Sequence, residues 1–136
     1  MRRLHYLVGI LATAALSACG SDGSDINQPS NRPANSISIV DQAETRGAGA
    51  FNPNPLNISL GGGGVVSWYN DDEQPAGGQY GGSTGTIHNI ASDDLSFSSG
   101  NIRPRARFQH TVDVAGTYDY HCSIHPTMRG TIIVAP

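Results

Sequence analysis

Gly116-Thr117-Tyr118-Asp119-Tyr120-His121-Cys122-Ser123-Ile124-His125-Pro126-Thr127-Met128 is the stretch on which the fold turns. Its first half has the short, β-branched and aromatic character of a strand, expected from Thr117 to Cys122. Its second half, opened by Ser123 and carrying Pro126, reads as a tight loop. Cys122, His125 and Met128 follow the spacing Cys-x2-His-x2-Met, so one turn gathers a thiol, an imidazole and a thioether. A loop that presents three such groups needs strands to hold it, and a fourth donor has to be brought in by the fold.

Working outward, period-two alternation recurs at Ile37 and Ile39, at Leu56, Ile58 and Leu60, and at Val66 and Trp68, each read as a half-buried strand. Further strands are expected around Ile87 to Ala91, Arg107 to Val112 and Thr131 to Val134, punctuated by turn signals at Gly61 to Gly64 and Ala115-Gly116. Helical periodicity appears only at the start. The expectation is an all-β chain, a Greek-key sandwich or barrel of seven to eight short strands. Phe51, Trp68, Phe97, Phe108 and Tyr118 suit inward positions, and Tyr118 or Tyr120 suits a hydroxyl that fixes a strand corner. The run from Asp71 to Thr86 breaks the pattern as a long loop directly before His88.

With 136 residues the chain fits one domain. Met1 to Ala18 carries Arg2 and Arg3, then an apolar run from Leu7 to Leu16, and reads as a signal peptide. Leu16-Ser17-Ala18-Cys19 looks like a bacterial lipobox, which would make Cys19 a lipidated N-terminus. Residues 19–35 then form a polar, flexible linker with a span of about 20–25 Å. The domain proper is expected over 36–136. Of the two cysteines one falls at the leader boundary, so Cys122 is left as a lone thiol rather than half of a disulfide. All eight basic residues are arginines; beyond the leader six face eleven acids, which leaves no nucleic-acid footprint.

One thiolate, two imidazoles and one thioether form the donor set of a blue-copper electron-transfer site: soft sulfur suits Cu(I), and imidazole suits Cu(II). His88, followed by Asn89, is the candidate that completes it, giving the metal set His88, Cys122, His125 and Met128. Gly116 to Cys122, His125-Pro126, Met128 and Gly130 resemble the C-terminal motif of the small blue-copper cupredoxins, and the Cys-x2-His-x2-Met spacing is closest to amicyanin. Phe51-x-Pro53, Trp68-Tyr69-Asn70, His88-Asn89 and Phe97-x-Ser99-Gly100 also resemble that family. The resemblance covers about 100 residues and implies an eight-stranded plastocyanin-like sandwich holding one copper ion at one end. It further implies a short bond from Cys122, equatorial imidazoles from His88 and His125, a long axial bond from Met128, and hydrogen bonding near the thiolate from Asn89. The long loop before His88 departs from the family's short connection.

These residues lead to the expectation of a mononuclear electron carrier, cycling Cu(II)/Cu(I) between an extracytoplasmic donor and acceptor. It would be a monomer tethered to the membrane through Cys19 in the periplasm or an equivalent space. Partners would meet a small, transient interface around His125 and Pro126, with Asp71 to Glu73 steering basic partners. A copper storage or delivery module is the alternative. Enzymatic readings lack support: no His-x-His clusters accompany the site, and Met128 closes the position that a catalytic zinc would keep open. His121 is expected on the opposite face of its strand from Cys122, and His110 on the surface.

Overall fold

The computed structural model describes residues 31–73 and 85–136. The expected signal peptide, the expected lipobox with Cys19, most of the expected linker and the middle of the loop before His88 lie outside the described residues. Eight strands form two four-stranded sheets, with no α-helix among the described residues. In chain order they are β1 (Ser36–Ile39), β2 (Phe51–Asn52), β3 (Leu56–Ser59), β4 (Val65–Asn70), β5 (Ala91–Ser92), β6 (Arg107–Thr111), β7 (Gly116–His121) and β8 (Arg129–Ala135). One sheet runs β2-β1-β4-β6 and the other β3-β8-β7-β5. Strands β1 and β4 pair in parallel, as do β3 and β8; all other pairs are antiparallel.

The alternation read from the sequence sets which faces meet. Ile37 and Ile39 of β1, Leu56 and Ile58 of β3, and Ile132 and Val134 of β8 point into the space between the sheets and are buried. Trp68 is fully buried at the centre, with ring centroids of Phe108 and Tyr120 at 5.5 Å and Phe97 at 5.7 Å. Trp68 and Tyr120, both fully buried, each remove about 150–250 Å² from water, a gross gain of roughly 4–6 kcal/mol. Tyr120 fits because its strand partner is Gly130, where a Cβ would stand 2.3 Å from the phenol ring. Tyr118 fixes a corner: its hydroxyl donates to the Val114 carbonyl at 2.9 Å.

Four local expectations change. β4 is not half-buried, since Ser67, Tyr69 and Asn70 are buried together with Val66 and Trp68. Side chains cover its outer face: Arg32, from the chain before β1, lies 4.1 Å over the Tyr69 ring, and Gln109 of β6 donates to the Ser67 hydroxyl at 2.9 Å. The run from Ile87 to Ala91 is not a continuous strand, because the Asn89 and Ile90 amides donate to the Cys122 sulfur and the Ser99 hydroxyl instead of a ladder. What remains is β5 and two isolated bridges, His88 with Ile102 and Ala91 with Ser98. Leu60 starts a 3-10 turn rather than ending β3. His110 is half-buried and stacked on Phe97 at 4.6 Å, not fully at the surface. The two-residue β2 is too short to show a period.

Candidate metal centre

The C-terminal ends of β1, β4 and β7 reach the same end of the sandwich, and the segments leaving β4 and β7 converge there. Cys122 directly follows β7, so its position is set by a strand ladder on both sides of His121. The loop beyond it is closed by its own backbone: the Met128 amide donates to the His125 carbonyl at 3.0 Å, and the Cys122 amide to the Met128 carbonyl at 3.2 Å. His88 comes from the other side, held by two backbone bonds with Ile102 at 2.7 and 3.2 Å. Asn89 ties the two segments together, accepting from the Ser123 amide at 2.7 Å and donating to the Ser123 hydroxyl at 2.6 Å.

In this frame the Cys122 Sγ lies 4.0 Å from His88 Nδ1 and 3.8 Å from His125 Nδ1, and the two Nδ1 atoms are 3.2 Å apart. An ion with nitrogen near 2.0 Å and sulfur near 2.3 Å separates such donors by about 3.3–3.7 Å at tetrahedral to trigonal angles, and each side of this triangle lies within about 0.3 Å of that range, close to the size a single metal needs. Cys122 and His88 are fully buried and His125 is partly so. Met128 is fully buried within the same loop. Thus the structure brings together the side chains of His88, Cys122 and His125, while Met128 is buried in the same loop with its backbone bonded to Cys122 and His125. His121 turns to the opposite side of β7, its Nδ1 2.5 Å from Asp93 Oδ1.

Sequence reasoning missed Asp72. It is fully buried, its Oδ2 is 2.7 Å from His88 Nε2, and its Oδ1 accepts from the Gln42 amide at 2.9 Å. A hydrogen on Nε2 leaves the Nδ1 lone pair directed at the thiol, the tautomer a metal requires. The charge run Asp71-Asp72-Glu73 hid this role, because such runs are usually solvated. A distinguishing signal is position: Asp72 comes just after the last buried residue of β4. Here the amides of Asp72 and Thr86 bond to Asn70 Oδ1 and the Asp72 carbonyl, so the long loop leaves and returns at one neck.

The electrostatics follow from these contacts. Burial pushes the Cys122 thiol up, but hydrogen bonding with His88, the Asn89 and His125 amides and the His125 ring outweighs it and holds the thiol at about 6. Burial pulls His88 down, yet Cys122 and Asp72 together raise it above its ordinary value. Burial pushes Asp72 up, and the bonds from His88 and the Gln42 amide hold it below the usual carboxylate range. A thiolate is therefore within easy reach near neutrality, as metal binding demands.

Asp71 to Glu73 do not form a free acidic steering patch. Asp71 takes a two-pronged bond from Arg32, both contacts 2.6 Å, and also one from the Ser38 hydroxyl. Asp72 is buried against His88, and Glu73 pairs with Arg105 at 2.7 Å. Tertiary pairing has used each charge.

No family model matches the sequence. The chain is similar to amicyanin of Paracoccus denitrificans, with 26% identity over 91% of this chain and 92% of that protein. Among solved structures it is similar to a purple cupredoxin from Nitrosopumilus maritimus, 31% identical, covering 74% of this chain and 98% of that one with a TM-score of 0.58. A Cu(I) form of an amicyanin variant, 22% identical with 74% and 80% covered and a TM-score of 0.54, shares the fold. A solved relative above 30% identity and spanned almost end to end, together with two imidazoles and a thiol converging at the end of a two-sheet sandwich, places the chain in the cupredoxins, the family of small blue-copper proteins.

Proposed function

We propose that this chain is a mononuclear copper electron carrier with His88, Cys122, His125 and Met128 as ligands. The observation that carries the reading is the triangle of Cys122 Sγ and two Nδ1 atoms, 3.2 to 4.0 Å on its sides, buried and braced from behind by Asp72 and Asn89. Copper bound there supplies a one-electron couple, Cu(II)/Cu(I). The protein residues hold the donors in place: strand β7, the Asn89–Ser123 bonds and the His88–Asp72 bond each resist displacement when the charge changes, which keeps reorganisation small. Of the four donors, His125 alone reaches the surface, flanked by exposed Ile124 and Pro126, which makes its ring edge the route for electrons to a transient partner.

Residues 1–35 support delivery to an extracytoplasmic compartment and attachment through lipid on Cys19. A Cys19→Ala chain should then leave the membrane fraction, and its unchanged retention there would remove the anchor from the reading.

Adding Cu(II) and recording visible and electron-spin spectra tests the site. An intense thiolate-to-copper band with one copper per chain is expected, lost in Cys122→Ser. A colourless protein, or a band that survives that substitution, would refute the assignment. Reversible one-electron cycling without loss of metal separates a carrier from a storage or delivery module.

A further inference from the structure

Three of the six arginines beyond the leader fall within five residues, Arg103-Pro104-Arg105-Ala106-Arg107, and all three are exposed. The segment is fixed at the metal end. Ile102, the residue before it, exchanges both backbone bonds with His88. The Ala106 amide donates to the Arg103 carbonyl at 2.9 Å, closing a turn with Pro104 second and Arg105 third at φ 67. The Arg105 amide and the Asn70 amide then bind this turn to the end of β4, at 2.9 Å each. The positive φ at the third position is the conformation that glycine adopts most easily, and here Arg105 occupies it.

The charges around it are unbalanced. Arg105 is matched by Glu73, while Arg103 and Arg107 have no ion-pair partner among the described residues. Of the acids at this end, Asp71 and Asp72 are taken by Arg32 and His88, and Glu44 is half-buried against Asp72 and His88, away from the exposed arginines. A chain with formal net charge -3 therefore presents two exposed cations without an ion-pair partner among the described residues beside its metal end, while the acids there are paired or turned inward. A cross-strand step from His88 to Ile102 and one residue along the chain place the Arg103 backbone within about 10 Å of His88, one Debye length at 0.1 M salt. Arg107 also lies on β6, an edge strand, where a cation discourages strand pairing; Arg103 lies outside any strand, and edge protection does not account for it.

We propose that Arg103 and Arg107 form a cationic rim that selects an electron partner whose contact face is rich in carboxylates. This rests on the electron-carrier reading above. The sign of the steering is the reverse of the one suggested by Asp71-Asp72-Glu73. In small, short-lived interfaces such charges act on the association rate more than on affinity.

The test uses the copper-loaded full chain and two small redox probes of opposite charge, hexacyanoferrate(III) and tris(phenanthroline)cobalt(III), with stopped-flow oxidation of the Cu(I) form. At low ionic strength an Arg103→Gln/Arg107→Gln double variant should react about 3- to 10-fold more slowly with the anion and faster with the cation, converging on the parent rates in high salt. Lysines at both positions should restore the parent behaviour, and the visible spectrum should not change. Polyglutamate should slow the anionic reaction of the parent and not of the double variant. Unchanged rates with an intact blue site, or equal slowing by both probes, overturn the rim while leaving the carrier intact. Arginine-dependent sedimentation with phosphatidylglycerol vesicles would overturn it in favour of a lipid surface. A chain with no blue site or no reversible cycle removes both readings.

Discussion

Replacing Asp72 separates the buried carboxylate's structural work from its effect on the metal. Its two oxygens accept from the Gln42 amide at 2.9 Å and from His88 Nε2 at 2.7 Å, with no exposure to water. Asp72→Ala leaves the fully buried His88 Nε2 and the part-buried Gln42 amide unanswered, at about 1–3 kcal/mol each. Part of that loss is offset because a buried anion no longer has to be kept from water, so a net destabilisation of the metal-free protein of about 2–4 kcal/mol is expected. Asp72→Asn keeps the shape but offers one acceptor oxygen to two N–H donors, so one unfavourable contact remains and about 1–3 kcal/mol is lost. In both variants His88 is no longer held in the tautomer that directs Nδ1 at Cys122, and copper affinity should fall about 10- to 100-fold. Urea denaturation of the metal-free chains and competition for Cu(II) with a chelator measure the two effects. If both variants stay within 0.5 kcal/mol of the parent and bind copper within twofold, the reasoning from the buried bond is wrong.

The metal-free Cys122 thiol should titrate with a midpoint at about 6, followed by thiolate absorbance near 240 nm; a midpoint above 8 would contradict the hydrogen bonding described. Since the folded value lies below the unfolded one, this group's contribution to stability is fully present above about 9 and is lost as pH falls through about 6, while raised His88 works the opposite way. Gly130→Ala should destabilise by about 1–3 kcal/mol, because its Cβ meets the Tyr120 ring at 2.3 Å, whereas Gly61→Ala, with nothing within 4 Å, should leave the denaturation midpoint in place. Tyr118→Phe should lose about 0.5–1 kcal/mol with the bond to Val114, and an unchanged midpoint would show the corner to be ornamental.

How much of this was legible beforehand differs by element. Ile37 and Ile39, Leu56 and Ile58, and Ile132 and Val134 show their buried faces in the sequence because a strand with one wet face must alternate. β4 did not, since Arg32 and Gln109 cover its second face from distant parts of the chain. The stretch from Ile87 to Ala91 looked like a strand by composition, but the Cys122 sulfur and the Ser99 hydroxyl compete for its amides and end the ladder.

The donor set itself was determined by the sequence. Cys122, His125 and Met128 lie so close in the chain that a single turn gathers them, and soft sulfur beside imidazole specifies the chemistry through atom type. Only the tertiary structure decided which distant groups complete and surround that turn. It placed His88 opposite Cys122, buried Asp72 behind it, consumed the acids at Asp71 and Glu73, and left Arg103 and Arg107 facing solvent. The physical reason is that a residue's type fixes what it can donate or carry, whereas its burial and its partner are properties of packing between segments that the sequence keeps far apart.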